Sequence, residues 1–280
     1  MREIHVNEVT ALVRRLCMEA NYYLPADVRA SYEKGLAEEQ SPLGREIFEE
    51  MLRNCKLACD HDVPICQDTG SAIVFAEVGQ DVHLVGGAFE DAVDEGVRQG
   101  YVDGYLRKSI VSDPLRRVNT DDNTPAFLYT RIVPGDQIQI TCAPKGGGSE
   151  NMSALKMFTP AATKETIVEW IAETVIHAGS NPCPPVILGV GLGGTAEKAY
   201  LNAKIALLRP VDETNADPFY AEMEQAILEK VNASGVGPQG LGGTVTALSC
   251  AIVPGATHIA SLPCALSIGC HVTRHASGVI

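Results

Sequence analysis

Apolar residues recur every three to four positions over residues 6–60, and the spacing then changes. In "NEVTALVRRLCMEANYYL", Val9, Leu12, Leu16 and Tyr23 fall near one helical face. In "PLGREIFEEMLRNCKLAC", Leu43, Ile47, Met51 and Leu52 repeat that spacing. "SAIVFAEV" (71–78) reads as a strand, and "AFLYTRIVPGDQIQITCAP" (126–144) reads as a hairpin turning at Pro134, Gly135 and Asp136. "KGGGSEN" follows as a loop. "TKETIVEWIAETVIHAG" (163–179) is an amphipathic helix with Gly179 as its stop. A buried strand "PPVILGV", a glycine-rich turn and the helices "AEKAYLNAKIALL" and "PFYAEMEQAILEKVNAS" come next. Strand-like stretches at 244–253 and 257–268 close the chain. The pattern predicts an α+β fold, with a helical N-terminal segment followed by mixed β-sheets and flanking helices. No linker divides residues 1–280, which read as one unit with two lobes as its widest subdivision.

Composition narrows the function classes. A chain that is 45% hydrophobic and 20% charged can bury a core without covalent staples. A net charge of −13 disfavours nucleic-acid binding but leaves room for a small anion held by local charge. "MREIHVNEVTALVRRL" interrupts its apolar positions with charge and so lacks a secretory h-region. No apolar run reaches the roughly 18 residues a membrane span needs. The expectation is a cytoplasmic protein in a reducing compartment, where nine cysteines form no disulfide framework.

Candidate chemistry lies in short motifs. "GVGLGG" supplies G-x-G-x-x-G at Gly189, Gly191 and Gly194 after an apolar strand, with Asp212 and Glu213 about 20 residues on, as a dinucleotide site would. No βαβ unit precedes it, and short glycine motifs match often by accident. "GLGGT" occurs twice, at 191–195 and 240–244, which suggests two similar turns closely approached by something. Cys55 and Cys59, four apart on a predicted helix, read as core residues. Cys66 in "PICQDTG", Cys183 in "GSNPCPP" and Cys270 in "SIGCHVTRH" instead sit in proline- or glycine-marked loops. Singly each reads as structural; as a trio from three loops they suit a metal cluster with one corner free of protein.

Taken together, "PICQDTG", "KGGGSEN", "GSNPCPP", "GLGGT" and "SIGCHVTRH" resemble, in order and through nearly all of the chain, the class I (iron–sulfur) fumarate hydratase and L-tartrate dehydratase family. The closest resemblance is to the α subunit of its two-subunit form, because single-chain members continue into a second domain. The resemblance implies a [4Fe–4S] cluster held by Cys66, Cys183 and Cys270, with an open iron acting as Lewis acid. It implies substrate contacts from Gln67 and Asp68, with Asp68 also exchanging a proton, and an Arg107 guanidinium gripping a carboxylate of a dicarboxylate. Backbone N–H groups of Gly147 and Gly148 would meet the same anion, and His258 in "PGATHIASLP" would stand near the substrate as a second catalytic residue. His271 and His275 flank Cys270 as outer partners. Two carboxylates want more cations than Arg107, so a β subunit is expected to supply the rest, in a dimer of αβ units. The implied reaction is reversible hydration of fumarate to (S)-malate; the alternative is dehydration of L(+)-tartrate to oxaloacetate. From another class, the NAD-binding oxidoreductase reading of "GVGLGG" stays open at this point.

Overall fold

The computed structural model describes residues 1–280. Strand β1 (Arg2–His5) leads into helices α1 (Val6–Tyr22), α2 (Ala26–Glu38) and α3 (Pro42–His61). Strands β2 (Ser71–Gly79) and β3 (Val82–Val85), helix α4 (Phe89–Asp103), strands β4 (Phe127–Val133) and β5 (Ile138–Lys145) and the single turn α5 (Gly147–Glu150) follow. Then come β6 (Ala154–Phe158), α6 (Lys164–Ala178), β7 (Val186–Gly193), α7 (Ala196–Ala206), α8 (Pro218–Asn232), β8 (Ala247–Gly255), β9 (Leu262–Gly269) and β10 (Ala276–Val279). The α+β class expected from the pattern is what forms. None of the helices is long and apolar enough to cross a membrane.

The chain builds two compact units, one from Met1–Pro25, Cys55–Gly147 and Arg274–Ile280, the other from Ala26–Asn54 and Gly148–Thr273. In the first, β1 and β3 form a parallel pair and the main sheet runs β10-β5-β2-β4. Its core gathers Val9, Leu12, Val13 and Leu16 of α1 with Val74, Val93, Val97, Tyr101, Ile138 and Ile140. Helix α1 starts sharply because the His5 ring accepts from Asn7 N while Glu8 reaches back to His5 N, a reciprocal cap. Helix α4 adds to the predicted elements; Ala92, Gly96 and Gly100 make up half of its buried face, so its apolar signal is weak.

The expected hairpin over 126–144 does not form. Strand β2 lies between β4 and β5, parallel to the first and antiparallel to the second. The turn at Pro134, Gly135 and Asp136 instead bonds the end of β2: Gly79 N donates to Gln137 O at 2.8 Å and Asp81 N to Gly135 O at 3.0 Å. Two adjacent strands joined by a turn satisfy the same local pattern whether they pair with each other or with a third strand between them.

In the second unit the sheet order is β6-β9-β7-β8, with β7 parallel to β8 and antiparallel to β9. Its core joins Ile167, Ile171 and Val175 of α6, Met223 and Ile227 of α8, and Leu188, Val190, Ile252, Leu266 and Ile268 of the sheet. Gly189 and Gly191 are strand residues on which α7 lies. A Cβ on Gly191 would sit 1.8 Å from Ala199 O, and one on Gly189 2.2 Å from Ala203 O. Helix backbone fills the space that a dinucleotide would need, so these glycines serve packing. On α3 the buried stripe is Gly44, Phe48, Met51, Cys55 and Ala58. Of the predicted stripe, Met51 is buried, Ile47 and Leu52 are half-buried and Leu43 is exposed.

Candidate active site

The chain leaves α3 and enters β2 through residues 62–70, which carry Cys66, Gln67 and Asp68. Buried Ile65 anchors the start, its N–H donating to Asn21 O at 2.9 Å. Arg274, only 3% exposed, donates to Asn21 Oδ1 at 2.9 and 3.2 Å and to Asp68 O at 2.9 Å. At the far end Gly70, with φ +71°, packs its Cα against the Lys145 backbone, where a Cβ would approach to 2.6 Å. The buried Tyr101 hydroxyl donates to Thr69 O and Gly70 O at 2.9 and 3.0 Å. Burial holds the Tyr101 phenol well above its usual range, so it remains a neutral donor. The loop is thereby pinned at both ends while Cys66 stays half-buried and Gln67 exposed.

Both oxygens of Asp68 are engaged. Oδ1 accepts from Gly70 N at 3.0 Å and Oδ2 from Gly147 N at 2.9 Å. The Gly147 N–H expected to face a substrate anion therefore serves the Asp68 carboxylate. A Cβ on Gly146 would come within 3.1 Å of Oδ2, so the triple glycine also makes room for this contact. Lys145 of the same stretch is buried. The Cys66 thiol donates to Gln67 Oε1 at 3.3 Å.

Thr69 ties Arg107 to this loop. Its Oγ1 accepts from Arg107 N at 2.8 Å and donates to Arg107 O at 3.2 Å. The backbone of Arg107 is thus fixed, while its exposed guanidinium makes no hydrogen bond or ion pair within the chain. Asn123, fully buried, donates to Gly70 O at 3.2 Å and accepts from Ser109 N at 2.7 Å, which closes the cradle.

In the second unit, Cys183 is exposed at φ +54°, between Pro182 and Pro184. Its carbonyl accepts from His271 N at 3.2 Å and lies 3.1 Å from His271 Nδ1. Cys270 is half-buried at the end of β9, and its carbonyl accepts from Thr273 N and Oγ1 at 3.0 and 2.7 Å. Tyr32 donates to His271 O at 2.5 Å, and Gln239 donates to Pro184 O from both backbone and side chain. The loops of Cys183 and Cys270 are therefore joined to each other through His271. His258 departs from its expected apolar strand. It sits in an exposed turn after β8, its Nδ1 accepting from Ala260 N at 3.1 Å. Strand β8 ends at Gly255, and Thr257 Oγ1 donates to Gly194 O and Ser261 O in the turn that follows.

The second GLGGT turn cradles a carboxylate from the chain itself. Glu39, 2% exposed, accepts from Ser41 N, Thr244 N, Val245 N and Thr244 Oγ1 at 2.8 to 3.1 Å. Its copy at 191–195 is approached by the backbone of α7. Both turns are closely approached, one by an anion and one by a helix.

No three His, Cys, Asp or Glu side chains stand close enough together to form a metal site, but the thiols the chain offers differ in their fitness as ligands. Five of the other six cysteines are buried. Burial pushes the Cys264 thiol up to about 12 and Cys250 further; Cys17 is raised by its contact with Cys142 and then by burial. Such groups stay protonated at neutral pH and are poor metal ligands. Cys55 is one of the buried core residues, as expected, whereas Cys59 is exposed. Cys66 and Cys270 are half-buried and Cys183 is exposed, each on a loop held by backbone hydrogen bonds, which suits thiolate donors to a cluster.

A model of the fumarate hydratase (fumerase) family matches residues 10–279. The chain belongs to the fumarate hydratase family. Its relatives include the putative L(+)-tartrate dehydratase subunit alpha of Methanocaldococcus jannaschii, 38% identical over 276 residues and covering 96% of each chain. The L(+)-tartrate dehydratase subunit alpha of Escherichia coli (strain K12) is 30% identical over 273 residues, 96% of this chain and 89% of that one. The fumarate hydratase family is one of hydro-lyases, and this chain is of that enzyme class. Within this member, Asn21, Thr69, Tyr101, Asn123 and Arg274 join the expected site residues as supports. Of these, Thr69 in "PICQDTG" and Arg274, four residues after Cys270 in "SIGCHVTRH", lie within the motifs.

Proposed function

We propose that this chain is the α subunit of a two-subunit iron–sulfur hydro-lyase that reversibly hydrates fumarate to (S)-malate. The observation that carries the reading is the Thr69 clamp, which fixes the backbone of Arg107, whose guanidinium is unpartnered, to the pinned loop of Cys66, Gln67 and Asp68. Cys66, Cys183 and Cys270 would hold the [4Fe–4S] cluster. When bound, it supplies an open, Lewis-acidic iron for the substrate hydroxyl. Arg107 grips one substrate carboxylate through its planar fork. The exposed Gln67 amide offers a neutral donor from the same loop, and the Gly148 N–H is a further candidate donor. Asp68 has two oxygens with about four acceptor positions, and two N–H bonds leave capacity to take or return the proton of water. His258, exposed in its turn, is the other proton-transfer candidate. One guanidinium does not neutralise a dicarboxylate, so further cations come from a β subunit, in a dimer of αβ units. Nine cysteines and an open cluster suit a reducing, cytoplasmic setting.

A second reading is favoured by the names of the relatives: dehydration of L(+)-tartrate to oxaloacetate. Malate and tartrate differ by one hydroxyl, so the same residues serve both. Anaerobic reconstitution with iron and sulfide, followed by iron counting and EPR, tests the ligand set. Cys66→Ser, Cys183→Ser and Cys270→Ser should each lose the cluster, and Cys55→Ser and Cys59→Ser should retain it; the reverse pattern sinks the assignment. Rates with fumarate and with L(+)-tartrate, measured with and without the β subunit, separate the two substrates. Turnover by the cluster-loaded chain alone would refute the two-subunit reading.

A further inference from the structure

Between α4 and β4 the chain forms an irregular but well-bonded arm, residues 104–126. Its two limbs are stitched by Ser112 N to Val118 O at 2.8 Å, Thr120 N to Ile110 O at 3.0 Å and Asn119 Nδ2 to Lys108 O at 2.9 Å, with a bridge between Val111 and Asn119. Tyr105, Arg117, Asp121 and Asn123 take left-handed φ values of 52 to 65°, a conformation that non-glycine residues adopt only against a steric penalty. The arm is therefore shaped, and what it presents is unusual. Tyr105 and Leu115 are 92% and 90% exposed, and Val118 is exposed beside them.

Its charges are also unspent. The chain has 35 acids to 22 cations, and elsewhere many cations are taken up in ion pairs, among them Arg14 with Asp103, Lys204 with Glu150 and Arg209 with Glu224. Arg107, Lys108, Arg116 and Arg117 have no such partner, although acids lie on the same arm. Two of the three bond within the arm: Asp113 accepts from Leu115 N and Arg116 N at 2.9 and 2.6 Å, and Asp122 from Thr124 N and Oγ1 at 3.0 and 2.7 Å, while Asp121 is exposed. Four cations and two large apolar side chains are left pointing outward from a rigid frame.

We infer that this arm is the surface on which the second subunit docks, through a carboxylate-bearing face with an apolar recess for Leu115 and Tyr105. The inference rests on the two-subunit reading above and names the surface that reading lacks. Tyrosine and arginine anchors around an apolar centre are the composition of energetically dominant interface residues. A frame already held by its own hydrogen bonds gives up little conformational freedom on binding. The first limb of the arm carries Arg107, which Thr69 ties to the loop of Cys66, so a subunit seated here adjoins the residues proposed to hold substrate.

The test uses the full-length chain and the separately purified β subunit from the same genome, with binding measured by calorimetry and biolayer interferometry. Leu115→Asp and Arg116→Glu/Arg117→Glu should each raise Kd by at least about tenfold. The association rate should fall as salt rises from about 50 to about 500 mM. Arm amides should gain deuterium-exchange protection in the wild-type complex, a readout that needs no variant to fold. Lys108→Glu, on the opposite limb, stands in if Leu115→Asp loses its native circular dichroism. Binding that ignores these variants and leaves the arm amides unprotected overturns the surface alone. Failure of the wild-type chain to bind the β subunit overturns the two-subunit reading, and the surface with it.

Discussion

Glu39→Ala should remove much of the stability of the second unit, by an amount the structure lets one work out. The carboxylate is 2% exposed and accepts from Ser41 N at 2.8 Å, Thr244 N at 2.9 and 3.0 Å, Val245 N at 2.9 Å and Thr244 Oγ1 at 3.1 Å. Alanine leaves three backbone N–H groups without an acceptor, each costing about 1–3 kcal/mol when buried. Water reaching the Ser41 end offsets part of this, for an expected loss of about 3–6 kcal/mol against a typical total of about 5–15. Glu39→Gln keeps one acceptor oxygen but turns amide hydrogens toward N–H donors, so its loss is smaller, about 2 kcal/mol. Burial alone would raise this carboxyl, but the bonds from Ser41, Thr244 and Val245 outweigh it and hold it below the usual glutamate range. The stabilisation is therefore fully present above the unfolded value of about 4.3 and is lost as pH falls through the lower folded value. Urea unfolding followed by circular dichroism should show Glu39→Gln less sensitive than wild type to acidification across that window. A loss below about 1 kcal/mol for Glu39→Ala at pH 7, or an unchanged acid profile for Glu39→Gln, would refute the account.

Three further outcomes follow from contacts described above. Gly191→Ala sets a methyl 1.8 Å from Ala199 O, so α7 must shift; a loss of about 3 kcal/mol or more in urea unfolding is expected, and a near-native midpoint would contradict the packing role. Arg274→Met strips donors from Asn21 Oδ1 and Asp68 O; about 2–4 kcal/mol should go, with faster amide exchange over residues 64–70, and unchanged exchange there counts against it. Thr69→Val removes the acceptor for Arg107 N; about 1–2 kcal/mol of stability should be lost and KM for the dicarboxylate should rise more than kcat falls in the complex with β subunit. An unaltered KM would detach Arg107 from substrate binding.

Much of the site was legible because its signals are local. A thiol followed by amide, carboxylate and hydroxyl in "PICQDTG" marks a loop and not a core, and Cys66 is half-buried on a loop. Proline on both sides of Cys183 predicts a presented thiol, and that side chain is exposed. His258 misled because flanking apolar residues suggested a continuous strand, whereas Thr257 bonds Gly194 O and Ser261 O and closes a turn there. The G-x-G-x-x-G spacing misled for a related reason: glycine permits close approach but does not say by what.

By itself, the sequence determined the α+β class, the amphipathic helices, the stop at Gly179 and the separation of loop thiols from core thiols. Each of these follows from a period or a side-chain chemistry readable within about ten residues. Only the tertiary structure decided that β2 would lie between β4 and β5, that Glu39 would fill a turn at Thr244, and that Arg274 would hold the loop of Asp68. These are pairings across tens to hundreds of residues, and a hydrogen-bonding group carries no mark of its distant partner. Burial then selects the partner, because an unsatisfied polar group inside the protein costs more than any local preference can return.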